Sequence, residues 1–127
     1  MEKIRLGIIG IGNMGSEHCR LILSGQTPEI ALTCVADPRQ DRRDWAQQTL
    51  PAGTGIYADG MSLIRAHACD AVLIATPHEL HPPLAEAALR AGLHVLSEKP
   101  AGVYTAQLHP VIAAAQEKGR TYALMFN

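Results

Sequence analysis

Two kinds of apolar pattern alternate along the chain. Short continuous apolar runs bounded by glycine, proline or polar residues read as buried strands. They cover Ile4 to Ile9, Ile30 to Ala36 and Ala71 to Ala75, with shorter ones at Gly55 to Ala58, Leu93 to Leu96 and Tyr122 to Phe126. Between them lie stretches with helical signals: Asn13 to Ser24, Asp41 to Leu50, Met61 to Ala66, Pro82 to Ala91 and Thr105 to Lys118. Stop and start residues agree with these limits. Gly25, Gly92 and Gly119 follow helices, Pro51 ends one, and Pro82 and Pro83 occupy the first turn of another. Thr105 is a candidate N-cap. Pro110 sits awkwardly beyond it, which predicts a kink or a helix that starts later than Thr105. The order is strand–helix repeated, with about six strands. It predicts an α/β fold with a parallel, doubly wound sheet and helices on both faces.

Composition narrows the class. The chain has 127 residues, the size of one domain, here taken as 1–127. Aromatic residues make up only 4% against 47% hydrophobic, so the core must be aliphatic, as suits parallel strands covered by helices. The formal net charge of −1 and the lack of a basic patch give nucleic acid no electrostatic claim. The apolar runs are too short to span a membrane, and no signal peptide is visible. Cys19, Cys34 and Cys69 are odd in number and show no paired spacing, which fits reduced thiols in a cytoplasmic protein.

The first strand runs into Gly10-Ile11-Gly12-Asn13-Met14-Gly15, a G-x-G-x-x-G loop that opens a helix. Alone the motif is weak; between a strand and a helix it is strong. Gly10 permits the tight turn, Gly12 lets a diphosphate approach the backbone, and Gly15 lets the helix pack on the strand. The helix start, with Asn13 and Met14, offers N–H groups and partial positive charge to an anion. Asp37 ends the second strand 22 residues after Gly15, close to the position of a ribose-binding acid. Together these predict a Rossmann fold that holds NAD. Asp37 would repel a 2′-phosphate, so NADP is disfavoured, although Arg39 lies close enough to compensate part of that repulsion. A turn-forming Asp before Pro38 is the plainer reading of Asp37.

The second half carries a more specific signature: Ala75-Thr76-Pro77-His78-Glu79-Leu80-His81, then Ala87 to Val95, then Glu98-Lys99-Pro100. With the glycine loop and Val35-Ala36-Asp37-Pro38, these segments resemble the glucose–fructose oxidoreductase, inositol dehydrogenase and rhizopine-catabolism family over its first domain. The resemblance implies hydride transfer between nicotinamide and a secondary alcohol of a sugar, cyclitol or similar polyol. It implies Lys99 as the active-site lysine, Glu98 as the acid at the nicotinamide end, and Pro100 as the residue turning the lysine into the cleft. Thr76 and Pro77 match the loop along the pyrophosphate and nicotinamide ribose, and His81 matches a histidine of that loop. His78 replaces the usual asparagine, which leaves any ribose bond there open, and Leu93 replaces a lysine.

The family's second domain supplies most substrate contacts and an acid–base histidine. The chain stops at Asn127, just after a strand, so that domain is expected beyond it, and with it the homo-oligomer interface. Met125 and Phe126 are candidates for the face it covers. Alone the fragment is expected to be inactive. A non-catalytic NAD-binding sensor shares the fold, but it has no need of the lysine in Glu98-Lys99-Pro100. A domain for another nucleotide or CoA is opposed by Asp37. His78, Glu79 and His81 lack a further ligand at convincing spacing, so no metal site is expected.

Overall fold

The computed structural model describes residues 3–76, 81–98 and 105–125. Among them, strands and helices alternate: β1 (Ile4–Ile9), α1 (Asn13–Leu23), β2 (Ile30–Ala36), α2 (Gln40–Thr49), β3 (Gly55–Tyr57), α3 (Gly60–Arg65), β4 (Ala71–Ile74), α4 (His81–Arg90), β5 (His94–Glu98), α5 (Thr105–Lys118) and β6 (Tyr122–Met125). The strands form one sheet in the order β3-β2-β1-β4-β5-β6, and every pairing is parallel. The chain winds outward from β1 to β3, then crosses back to place β4 on the other side of β1. This is the doubly wound arrangement, with its switch point between β1 and β4.

Because successive strand side chains point to opposite faces, one strand feeds two cores. Leu6 and Ile8 of β1, Val35 of β2 and Leu73 of β4 pack with Cys19, Ala46 and Leu50 beneath α1 and α2. Their neighbours Ile9, Ala36, Val72 and Ile74 face the other way, with Leu63, Leu84, Ala88, Leu89 and Val111 of α3, α4 and α5. Burial on both faces explains why the central strands read as apolar runs rather than alternating ones. Cys34 and Cys69 crowd the side of Gly7, where a Cβ would lie 2.8 and 3.2 Å from their sulfurs. All three cysteines are buried free thiols, and burial pushes the Cys19 thiol up to about 11. No helix among the described residues is long and apolar enough to cross a membrane.

The register between β1 and β4 is pinned at its entrance by Arg5 and Asp70. The Asp70 carboxylate accepts from the Arg5 backbone N–H at 3.0 Å and from its guanidinium at 2.9 and 3.3 Å. Those bonds hold the Asp70 carboxyl below its ordinary range. A depressed folded-state pKa contributes stability above the unfolded value of about 3.9, lost as pH falls through the lower folded value. Both side chains are half exposed, so the contribution is modest. We expect Asp70→Asn to lower Tm slightly at pH 7. In melts recorded as a pH series, the gap from the unsubstituted chain should close below about pH 4.

Several boundaries depart from the sequence pattern. β5 extends past Leu96 through Ser97 and Glu98, because pairing of Ser97 with Leu124 and of Glu98 with Met125 continues the ladder into polar residues. α4 starts at His81, before the prolines, and α2 at Gln40, with Arg39 as its N-cap residue. α5 spans Thr105–Lys118 with Pro110 inside it, so the later start is not found and Thr105 lies within the helix rather than capping it. The Pro110 ring is on the exposed side, while Val111 and Ala114 after it are buried in the core and hold the helix through the missing hydrogen bond.

Candidate functional site

The carboxyl ends of β1, β2 and β4 meet at the switch point, and the glycine loop fills the gap between them. Gly10 adopts φ +93°, a backbone conformation that disfavours side chains. A Cβ there would also come within 2.9 Å of the Ala75 carbonyl and 3.0 Å of Thr76 Cγ2. The loops after β1 and β4 thus touch across a glycine. Gly15 is glycine for a different reason: a Cβ would collide with the Gly10 carbonyl, so only glycine lets α1 start this close to β1. At Gly12 a Cβ would meet nothing within 4 Å, which leaves the backbone open to an incoming group.

α1 begins beside that opening. Gly12 is its N-cap residue, no side chain caps the helix, and no acidic residue lies in its first turn. Asn13 and Met14 are exposed. Among the described residues, the amides of the first turn are therefore left to solvent or to an anion.

Asp37 stands at the end of β2, only 7% exposed. Its Oδ2 accepts from the Ile11 N–H at 3.0 Å and its Oδ1 from the Arg39 N–H at 2.9 Å. Each oxygen has a second lone pair for another donor. The plain turn reading is thus half right. The carboxylate does brace its own turn through Arg39, and it also reaches across to the glycine loop. Arg39 points its guanidinium at Asp41, with contacts of 2.9 and 3.2 Å, in an exposed pair.

Next to Asp37 and Gly10 opens an apolar cavity of about 250 Å³. Ile9, Ala36, Pro38, Met61, Thr76 and Leu84 are among its walls. α3 begins there, capped by Asp59, whose Oδ1 accepts from the Ser62 N–H at 2.8 Å. A larger and more polar cleft of about 380 Å³ lies at the opposite end of the sheet, near Arg5, Asp70, His94 and Arg120. Its charges already have work: Arg5 binds Asp70, and Arg120 donates to the Gly92 carbonyl at 2.6 Å. Open parallel sheets bind ligands at the carboxyl ends of their strands, and the glycine loop is there too.

The structure therefore gathers Gly10, Gly12, Asn13, Met14, Gly15, Asp37, Arg39 and Thr76 at one end of the sheet. Pro77, His78, Lys99 and Pro100 lie outside the described residues, as do the side chains of His81 and Glu98 and the whole of Phe126. No cluster of three metal-ligating side chains occurs among the described residues. Two contributors escaped the sequence reading. One is the apolar cavity, whose walls come from four separate elements. The other is Arg42, whose Nε donates to the Ile11 carbonyl at 2.6 Å. The sequence shows only that Arg39, Arg42 and Arg43 cluster near the start of α2, which does not tell a bound arginine from a solvated one.

Comparison with known proteins agrees with this geometry. Residues 4–126 match the profile of the oxidoreductase family with an NAD-binding Rossmann fold. The rhizopine catabolism protein MocA of Rhizobium meliloti is 42% identical over 106 residues, 81% of this chain and 31% of that protein. Inositol 2-dehydrogenase 4 of Saccharopolyspora erythraea is 37% identical over 102 residues, 78% of this chain and 29% of that protein. The scyllo-inositol dehydrogenase of Lactobacillus casei, solved with bound NAD(H) and scyllo-inositol, superposes with a TM-score of 0.88 at 27% identity. That match covers 97% of this chain and 36% of the other. The chain thus spans about a third of the length of its relatives. Fold, glycine loop and sequence agree: the chain belongs to the glucose–fructose oxidoreductase, inositol dehydrogenase and rhizopine-catabolism family and is its NAD-binding Rossmann domain.

Proposed function

We propose that the chain is the cofactor-binding domain of an NAD-dependent dehydrogenase that oxidises a secondary alcohol of a sugar, cyclitol or similar polyol, or runs the reverse reduction. The observation that carries the NAD assignment is Asp37. It is a nearly buried carboxylate at the end of β2, joined to the glycine loop and with lone pairs to spare for ribose hydroxyls. The uncapped amides of Gly12 to Met14 suit a diphosphate. The cavity between Ala36, Pro38, Met61 and Leu84 has the size and apolar walls for an adenine ring. Thr76, Pro77 and His78 are assigned to the nicotinamide ribose side, with His81 and Glu98 nearby.

When bound, the nicotinamide supplies the hydride-accepting or hydride-donating carbon. The proton of the substrate hydroxyl is assigned to Lys99 Nζ, as the resemblance implies, together with groups of a second domain. Substrate contacts and homo-oligomer formation are assigned to that domain as well, and the intact enzyme to the cytoplasm. The naming of inositol and rhizopine among the relatives supports a polyhydroxylated substrate.

Preference for NAD over NADP follows from two acids. Asp37 opposes a 2′-phosphate directly, and Asp41 occupies Arg39, the cation best placed to receive it. Calorimetric titration of the chain is expected to show NAD⁺ binding tighter than NADP⁺. Asp41→Ala, which releases an exposed arginine, should strengthen NADP⁺ by about three- to tenfold and leave NAD⁺ nearly unchanged. Equal affinities in the unsubstituted chain would overturn the NAD preference. Absence of binding to both would overturn the cofactor assignment for this chain on its own.

A further inference from the structure

Ile11 sits between two glycines of the loop and is held from three directions. Its side chain is wholly buried in the core beneath α1 and α2. Its N–H donates to Asp37 Oδ2 at 3.0 Å. Its carbonyl accepts from Arg42 Nε at 2.6 Å, a short, charge-assisted bond. The Arg42 guanidinium lies over the Trp45 ring, 5.1 Å from its centroid, and Arg20 of α1 lies 5.5 Å from the same ring. Trp45 itself packs against the core. Arg42 is therefore braced before any ligand arrives.

The carbonyl of Ile11 and the N–H of Gly12 belong to one planar peptide and point in opposite directions. Glycine at position 12 makes rotation of that peptide inexpensive, because no Cβ resists it. Gly12 is also the residue whose surroundings are open, with nothing within 4 Å of a Cβ. Without a partner for the Ile11 carbonyl, the Gly12 amide is free to turn.

We infer that Arg42 is a positioning residue for the cofactor: by binding the Ile11 carbonyl it fixes the 11–12 peptide, and so sets the direction of the Gly12 amide in advance. Asp37 fixes the preceding peptide, so the pair clamps the loop with one acceptor and one donor. This rests on the reading of the glycine loop as the diphosphate cradle. It assigns to α2 a role in affinity that the glycine motif does not contain. Binding then needs less ordering of the loop, which is how preorganisation raises affinity.

Two substitutions separate the hydrogen bond from the charge. Arg42→Gln places its amide nitrogen the same number of bonds from Cα as the arginine Nε, so it keeps the donor and loses the charge. Arg42→Met has a similar length and neither. Calorimetric titration with NAD⁺ is paired with hydrogen exchange of the Ile11 amide in the cofactor-free chain. Arg42→Met is expected to bind NAD⁺ about five- to tenfold more weakly and to exchange the Ile11 amide faster by a similar factor. Arg42→Gln should stay within about twofold of the unsubstituted chain in both. Unchanged binding and exchange in Arg42→Met would overturn the clamp. So would equal weakening in both variants, which would make Arg42 a source of charge alone. If the unsubstituted chain fails to bind NAD⁺, the cradle reading falls, and exchange alone then decides the clamp: equal rates in all three chains would overturn it.

Discussion

Gly15→Ala and Gly12→Ala, one methyl group each and three residues apart, are expected to fail in different ways, the first in folding and binding, the second in binding alone. At Gly15 the new Cβ collides with the Gly10 carbonyl. Gly10 cannot easily yield, because its N–H is bonded to the Ala36 carbonyl at 2.8 Å and the Ala75 backbone leaves no room even for a Cβ on its other side. α1 must therefore retreat from β1, opening the layer where Cys19 and Ile8 are fully buried. Overpacking of this kind costs about 1–3 kcal/mol, or roughly 5–15 °C in Tm for a domain of this size. The displaced loop should also weaken NAD⁺ binding, because the backbone N–H groups that would face a diphosphate move with it. At Gly12 the new Cβ meets nothing within 4 Å, so the fold should melt within about 2 °C of the unsubstituted chain. Its NAD⁺ affinity should nonetheless fall about tenfold or more, because the methyl enters the space assigned to the diphosphate. Melting curves and calorimetry on both variants check this. A Gly12→Ala chain that binds NAD⁺ normally would remove the diphosphate from that space.

The difference between these glycines marks how far the sequence could be read. Their order after a strand already implies a turn, a close approach and a packing contact. The atoms in the way of each Cβ require the neighbouring strands, and Ala75 is 65 residues from Gly10. Strands buried on both faces announce themselves as apolar runs, so β1, β2 and β4 were legible almost to the residue. β5 was not, because its last residues, Ser97 and Glu98, are polar and are kept in the sheet by pairing with β6. Asp37 was legible from spacing, but its hold on Ile11 was not, since nothing local in sequence links positions 26 residues apart. Arg42 was hidden for another reason. α2 is strongly polar, and an arginine on such a helix reads as solvated surface until its partner carbonyl is seen.

Asp37→Ala is expected to damage both stability and cofactor choice, and the two effects can be read apart. The carboxylate is nearly buried and holds two backbone N–H groups. Its removal leaves the Ile11 N–H buried without this acceptor, at a cost of about 1–3 kcal/mol. The Arg39 N–H lies near exposed residues, where water can replace the bond. The net expectation is a Tm lower by roughly 5–15 °C. If Asp37 also accepts from the ribose hydroxyls, NAD⁺ affinity should fall about ten- to a hundredfold, as for loss of charge-assisted bonds. NADP⁺ should lose far less, because the repulsion of its 2′-phosphate disappears with the carboxylate. The ratio of the two affinities is therefore the decisive quantity, since damage to the glycine loop alone weakens both cofactors equally. A lower Tm with an unchanged ratio would make Asp37 a brace for the loop and nothing more, and would move the choice of cofactor to Arg39 and Asp41. A lower Tm with the ratio pulled toward unity would show one carboxylate both shaping the loop and reading the ribose, so that NAD preference could not be engineered away at this position without a loss of stability.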